Sequence, residues 1–112
     1  MTESSTPLLS ICIPTYNRSR FLREALDSII ASASSCLPEV EVVVSDNASP
    51  DDTPAVMAEY QARYTWIRYY RNETNIGEAN FYHVAQLAKG EYVWIFGDDD
   101  KLLPPAIPAV IE

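Results

Sequence analysis

The chain has 112 residues, 47% hydrophobic and 21% charged, enough for one ordinary domain with a real core and unlike the composition of a disordered chain. Sixteen acidic against eight basic residues leave a net charge of −8, which argues against nucleic acid or an anionic membrane surface as the main partner. His83 is the single histidine, so zinc sites built on histidine clusters are excluded, and the lone pair Cys12 and Cys36 is expected as two buried thiols.

Residues 1–7 are polar, lack the basic-then-apolar order of a signal peptide, and are expected to be flexible. No stretch approaches the roughly 18 apolar residues of a membrane span, so a cytoplasmic location is the default expectation. From Leu8 to Ile13 an apolar run reads as a first strand, stopped by Pro14. Phe21, Leu22, Ala25, Leu26, Ile29 and Ile30 then recur at helical spacing and predict a helix over about 19–33. Val40 to Ser45, with Val42, Val43 and Val44 in succession, predicts a strand of a parallel sheet.

Thr53 and Pro54 suit the N-cap and first residue of a second helix, whose buried face is Val56, Met57, Tyr60 and Tyr64. A third strand is expected over 66–71, followed by a helix marked by Phe81, Val84, Ala85 and Ala88, with Gly90 placed to end it. Tyr92 to Phe96 reads as a fourth, buried strand, and a further helix begins near Pro104. Four alternations of strand and helix with short connections predict an α/β fold: a mostly parallel, Rossmann-like sheet of about four strands with helices on both faces.

In such a sheet every strand ends in a loop on the same edge, where ligands bind. Those loops are Pro14-Thr15-Tyr16-Asn17-Arg18, Asp46 to Asp52, Asn72 to Gly77, and Gly97 with Asp98-Asp99-Asp100. The opposite edge carries Ser32 to Glu39 and Lys89 to Glu91, which read as plain connections. Asp46-Asn47 and Asn75-Ile76-Gly77 taken singly read as turn and cap residues, Arg18 as a solvated charge, and Asp51-Asp52 as complements to a helix N-terminus. The aspartate triplet is different. Like charges this close repel, and a divalent cation with hard oxygen ligands would relieve that repulsion.

Five segments, Ile13 to Arg18, Val44 to Ser49, Asn75 to Gly77, Ala88 to Tyr92, and Asp98 to Asp100 with Leu102 and Pro104, together resemble glycosyltransferase family 2 of the GT-A fold, across about residues 8–112. The variants of the second and last segments are similar to bacterial members that assemble surface polysaccharides such as O-antigen. The resemblance implies metal-dependent transfer of a sugar from a nucleotide-diphosphate sugar donor to a glycan or lipid-linked acceptor. It implies donor-nucleotide contacts from Pro14, Thr15, Tyr16, Asn17, Asp46, Asn75, Gly77 and Asp98, and Mn²⁺ or Mg²⁺ held by Asp98, Asp99 and Asp100. A bound metal would also let a chain of charge −8 accept an anionic donor.

Two departures from the family pattern stand out. Gly97 occupies the place of the pattern's first aspartate, which leaves open whether the working carboxylates are Asp98 with Asp100, or Asp99. In the third helix Asn80-Phe81-Tyr82-His83 replaces an Arg-Asn pair. The resemblance further implies that residues 8–112 form the donor-binding part of a longer domain, that the general base lies beyond Glu112, and that missing regions could bring the protein to the inner face of the cell membrane. A nucleotidyltransferase and a non-catalytic nucleotide-binding scaffold are the alternatives. Against the former, the first loop lacks a glycine-rich phosphate cradle with a following lysine.

Overall fold

The structure is a computed structural model that describes residues 6–37 and 39–111. Four strands, β1 (Leu9–Thr15), β2 (Val40–Asp46), β3 (Ile67–Arg71) and β4 (Tyr92–Ile95), alternate with helices α1 (Ser19–Ala33), α2 (Thr53–Arg63), α3 (Ala79–Leu87) and α4 (Ala106–Ile111). All strand pairs are parallel, in the order β3-β2-β1-β4. The chain therefore steps outward from β1 to β3, then returns to the other side of β1. That reversal opens a crevice beyond the carboxyl ends of β1 and β4.

Alternation along the strands divides the core into two. Leu9, Ile11 and Ile13 join Val40, Val42 and Val44 beneath α1, α2 and α4. Cys12 and Val43 face the other way and pack with Val84, Leu87 and Ala88. Because both faces of β1 and β2 are covered, these strands read as continuous apolar runs. The α3 face also buries Glu41, which accepts from Ser10 Oγ, from Arg68 Nε at 2.9 Å and from the Lys89 N–H at 2.7 Å. Cys12 and Cys36 are buried free thiols, and burial followed by the Glu41 charge pushes the Cys12 thiol up to about 11. No helix among the described residues is long and apolar enough to cross a membrane.

Several local expectations need correction. The last strand is not buried: Tyr92, Val93 and Ile95 are exposed, because β4 pairs only with β1 and forms the edge of this sheet. Thr53 is the first residue of α2, not its cap. Asp51 supplies the capping oxygens, accepting from the Thr53 N–H at 3.0 Å and, through its other oxygen, from the Ser19 N–H at 3.1 Å.

The end of α3 comes at Ala88, which is already extended, two residues before Gly90. Gly90 is needed for another reason. A Cβ there would lie 2.5 Å from Ser10 Oγ and 2.8 Å from the Ser10 backbone nitrogen. Of the expected flexible start, residues 1–5 lie outside the described residues, whereas the Pro7 carbonyl already accepts from the Glu91 N–H at 3.2 Å.

Candidate functional site

The crevice is built first from the end of β1. Thr15 is buried and its hydroxyl donates to Asp98 Oδ2 at 2.8 Å, tying the β1 and β4 ends together. The chain then turns through Asn17, whose φ of 55° is a conformation that asparagine tolerates better than most residues. The Asn17 N–H donates to Ser49 Oγ at 2.8 Å, so the first and second loops are fastened together. Tyr16 is left with its ring exposed, and Arg18 turns back toward the aspartates.

The loop after β2 is organised by Asp46, which has 0% of its surface exposed. Its Oδ1 accepts from the Ser49 N–H at 2.9 Å, and its Oδ2 accepts from the Tyr69 hydroxyl and from Arg71 at 3.2 Å. Burial, then the Asp46 carboxylate, hold the Tyr69 phenol well above its usual range. This clasp forces Ala48 to a φ of 64°, a strained conformation for a residue with a Cβ.

Asn47 is the hub of the same wall. Its amide donates to Asn75 Oδ1 at 2.7 Å, and its Oδ1 accepts from the Ile76 N–H at 2.8 Å and from Asn72 at 3.1 Å. Asn80, buried in the first turn of α3, accepts from Ser45 Oγ at 2.7 Å and from Asn72 at 3.0 Å while donating to the Ser45 carbonyl. Side-chain bonds thus lock three loops into one surface.

The three aspartates diverge. Asp98 is nearly buried; burial raises its pKa above the ordinary carboxylate value, while the Thr15 hydroxyl and the Arg18 charge act in the opposite sense. Asp99 is exposed, and Asp100 folds back to accept from the Gly97 N–H at 3.2 Å. A Cβ at Gly97 would sit 2.7 Å from that Asp100 oxygen, so glycine gives Asp100 room for its turn. Arg18 Nη1 lies 3.2 Å from Asp99 Oδ2 and 3.7 Å from Asp98 Oδ1.

Among the described residues no group of three or more His, Cys, Asp or Glu side chains is arranged to hold a metal ion. A two-carboxylate set needs only Asp98 and Asp99, and the Arg18 nitrogen marks a position between them that suits a cation. Mg²⁺ is commonly held this way, by one or two carboxylates and the phosphates of its substrate.

A cleft of about 420 Å³ lies over these loops, lined by Pro14, Thr15, Tyr16, Arg18, Asn47, Gly77, Asn80, Phe81, Gly97, Asp98 and Asp99. Of the residues expected from the sequence, it gathers Pro14, Thr15, Tyr16, Gly77, Asp98 and Asp99. Asp46 lies below the wall and Asn75 braces it; Asn17 fastens the first loop to the second, and Asp100 acts within its own turn. Arg18, Asn47, Asn80 and Phe81 are additions. Arg18, Asn47 and Asn80 are tied there to partners distant in sequence, whereas Phe81 presents an exposed ring; Arg18 and Asn47 lie in the polar loops read from the sequence, and Asn80 is a polar residue within an apolar helix.

A second groove, of about 510 Å³, follows the open edge of β4 and is lined by Leu8, Leu9, Tyr92 to Ile95, Val110 and Ile111. Among the described residues its lining carries no carboxylate or cationic side chain.

The family model described as glycosyl transferase family 2 matches residues 10–112. The chain is 44% identical over 97 residues to the abequosyltransferase RfbV of Salmonella typhimurium, covering 85% of this chain and 29% of that protein. It is 32% identical over 108 residues to a GalNAc(5)-diNAcBac-PP-undecaprenol beta-1,3-glucosyltransferase of Campylobacter jejuni, covering 95% and 34%. The chain thus spans about a third of the length of these relatives.

Among solved structures it is similar to the mannosyltransferase PcManGT of Pyrobaculum calidifontis in complex with GDP-Man and Mn²⁺, at TM-score 0.82 and 26% identity, covering 95% of this chain and 31% of that one. It is also similar to TarS of S. aureus in complex with UDP, at TM-score 0.81 and 27% identity, covering 93% and 31%. With its parallel α/β sheet, its loops gathered on one edge and a family match over nearly its whole length, the chain belongs to glycosyl transferase family 2 and has the GT-A type of fold.

Proposed function

We propose that this chain binds the nucleotide-diphosphate end of a sugar donor and presents it, with Mn²⁺ or Mg²⁺, for transfer to a glycan or lipid-linked acceptor. The observation that carries this reading is the pair Asp98 and Asp99 facing one cationic nitrogen at the mouth of the cleft that also holds Tyr16. Asp98 and Asp99 would hold the cation, which would supply Lewis-acid and orienting chemistry for the departing nucleotide diphosphate. The complexes of relatives with UDP and with GDP-Man and Mn²⁺ support the same chemistry here.

In this reading Thr15 fixes Asp98 by its hydrogen bond, and Tyr16 offers a ring face to the base. Asp46 acts through the loop it organises: its two oxygens are engaged by the protein, so it shapes the base pocket from beneath. Pro14, Asn17, Asn75 and Gly77 set the backbone around the nucleotide. Asp100 supports the metal turn from its bond to Gly97 and leaves the cation to its two neighbours. The general base and the acceptor site are assigned to the part of the family length that this chain does not span. A cytoplasmic site of action, with peripheral association at the inner face of the membrane, completes the proposal; two buried free thiols suit a reducing compartment.

The test is thermal unfolding with UDP, dTDP, CDP or GDP, each with and without Mn²⁺. A nucleotide at 100 times its dissociation constant stabilises the fold by about 2.7 kcal/mol. A metal-dependent rise with at least one of them is expected; no rise with any would refute the reading.

A further inference from the structure

Phe81 lines the cleft with a ring for which no hydrogen bond or core packing among the described residues accounts. It lies in the first turn of α3, beside buried Asn80, yet 52% of its surface is exposed. The core face of that helix is Asn80 and Val84. Phe81 therefore turns a large apolar ring away from the core and into the cleft lining, where Tyr16, 43% exposed, also stands. Exposing an aromatic ring forfeits hydrophobic stabilisation unless something covers it.

The polar groups of the wall cannot be that something. Asn47 and Asn80 are engaged with Asn72, Asn75, Ser45 and backbone groups, and no described buried side-chain nitrogen or oxygen lacks a partner. The cleft thus has an acidic end suited to a cation and two exposed ring faces on separate elements. A flat aromatic group attached to a diphosphate matches both parts.

We propose that Phe81 is a binding contact for the donor nucleotide, packing its ring against the nucleobase. This inference rests on the nucleotide-binding reading above and adds to it a residue and a mode of recognition. Because a π-face carries little sequence of donors and acceptors, stacking on Phe81 favours any base over none more than one base over another.

Calorimetric titration of the full chain with a nucleoside diphosphate plus Mn²⁺, and separately with inorganic pyrophosphate plus Mn²⁺, tests it. Phe81→Ala should weaken nucleoside diphosphate binding roughly 5- to 150-fold, the range for loss of one stacking contact. It should leave pyrophosphate binding unchanged, and Phe81→Trp should restore the nucleotide affinity. Tyr82→Ala, at a neighbouring ring that is 76% exposed and outside the cleft lining, should leave both unchanged. Equal nucleotide affinity in Phe81→Ala and the native chain would overturn the stacking role while leaving nucleotide binding intact. Parallel loss of pyrophosphate binding would overturn it as well. Failure of the native chain to bind any nucleoside diphosphate would overturn the underlying reading itself.

Discussion

Asp98, Asp99 and Asp100 are consecutive, yet the structure gives each a different task. Asp98 is held by Thr15 at 2.8 Å, Asp99 faces Arg18 at 3.2 Å, and Asp100 bonds the Gly97 N–H. Single changes to asparagine should therefore separate them. Loss of the Mn²⁺-dependent thermal shift is expected for Asp98→Asn and Asp99→Asn, and retention for Asp100→Asn. Asp98→Asn should also leave the ligand-free fold as stable or more so. Burial lifts the folded pKa of Asp98 above its ordinary 3.8, so its stabilising contribution is complete below that pH and is lost as pH rises through the folded value. A neutral amide removes that penalty. A second residue-scale strain lies at Ala48, where φ is 64°. Ala48→Gly should raise the melting temperature, by the equivalent of about 1 kcal/mol or less once the added freedom of the unfolded chain is subtracted.

Among the elements, α3 carries most of the site's rigidity. Its buried Asn80 binds the β2 end through both Ser45 groups and the third loop through Asn72. Removing that amide in Asn80→Ala strands the buried Ser45 hydroxyl, at about 1–3 kcal/mol for a group left unpaired. Denaturant unfolding would measure the loss, and the same variant should weaken nucleotide binding because the wall under the base loses its brace. At the opposite sheet edge, the connection from α3 to β4 depends on Gly90. Its nearest neighbours include the Ser10 backbone, which cannot step aside as a flexible side chain would. Gly90→Ala should destabilise by roughly 1–3 kcal/mol, the usual range for overpacking.

Over the whole molecule, charge governs both ligand choice and pH response. With sixteen acidic and eight basic residues, the chain repels a free diphosphate, so nucleotide affinity should depend on divalent cation concentration. The buried Glu41 cluster sets the acid limit of the fold. Burial alone would raise the Glu41 pKa, but bonds from Ser10, the Lys89 N–H and Arg68 outweigh it and leave it below the ordinary 4.5. Its contribution to stability is therefore present above pH 4.5 and is lost as pH falls through the lower folded value. Thermal melts taken from pH 6 downward should fall once the pH passes below about 4.5, and Glu41→Gln should flatten that fall.

The alternation of apolar runs was enough to read four strands, four helices and the parallel sheet, because local periodicity and burial on both faces leave few other folds. That alternation also put the polar loops on one edge, since a parallel sheet permits nothing else. The aspartate triplet and the motifs of glycosyl transferase family 2 were visible for the same reason: they are contiguous.

What only the tertiary structure decided involves residues brought together from far apart. Thr15 meets Asp98 across 83 positions, Arg18 meets Asp99 across 81, and Asn47 meets Asn75 across 28. No pattern within one segment reports which of three adjacent carboxylates turns toward an arginine and which folds back on its own turn. Nor does an apolar run report that it ends as an edge: β4 has the composition of a buried strand, and its exposure depends on what stands beside it. The sequence determined which chemistry is present and on which side of the sheet, through local spacing. The fold decided which atoms share the cleft, because that depends on how separate loops pack against one another.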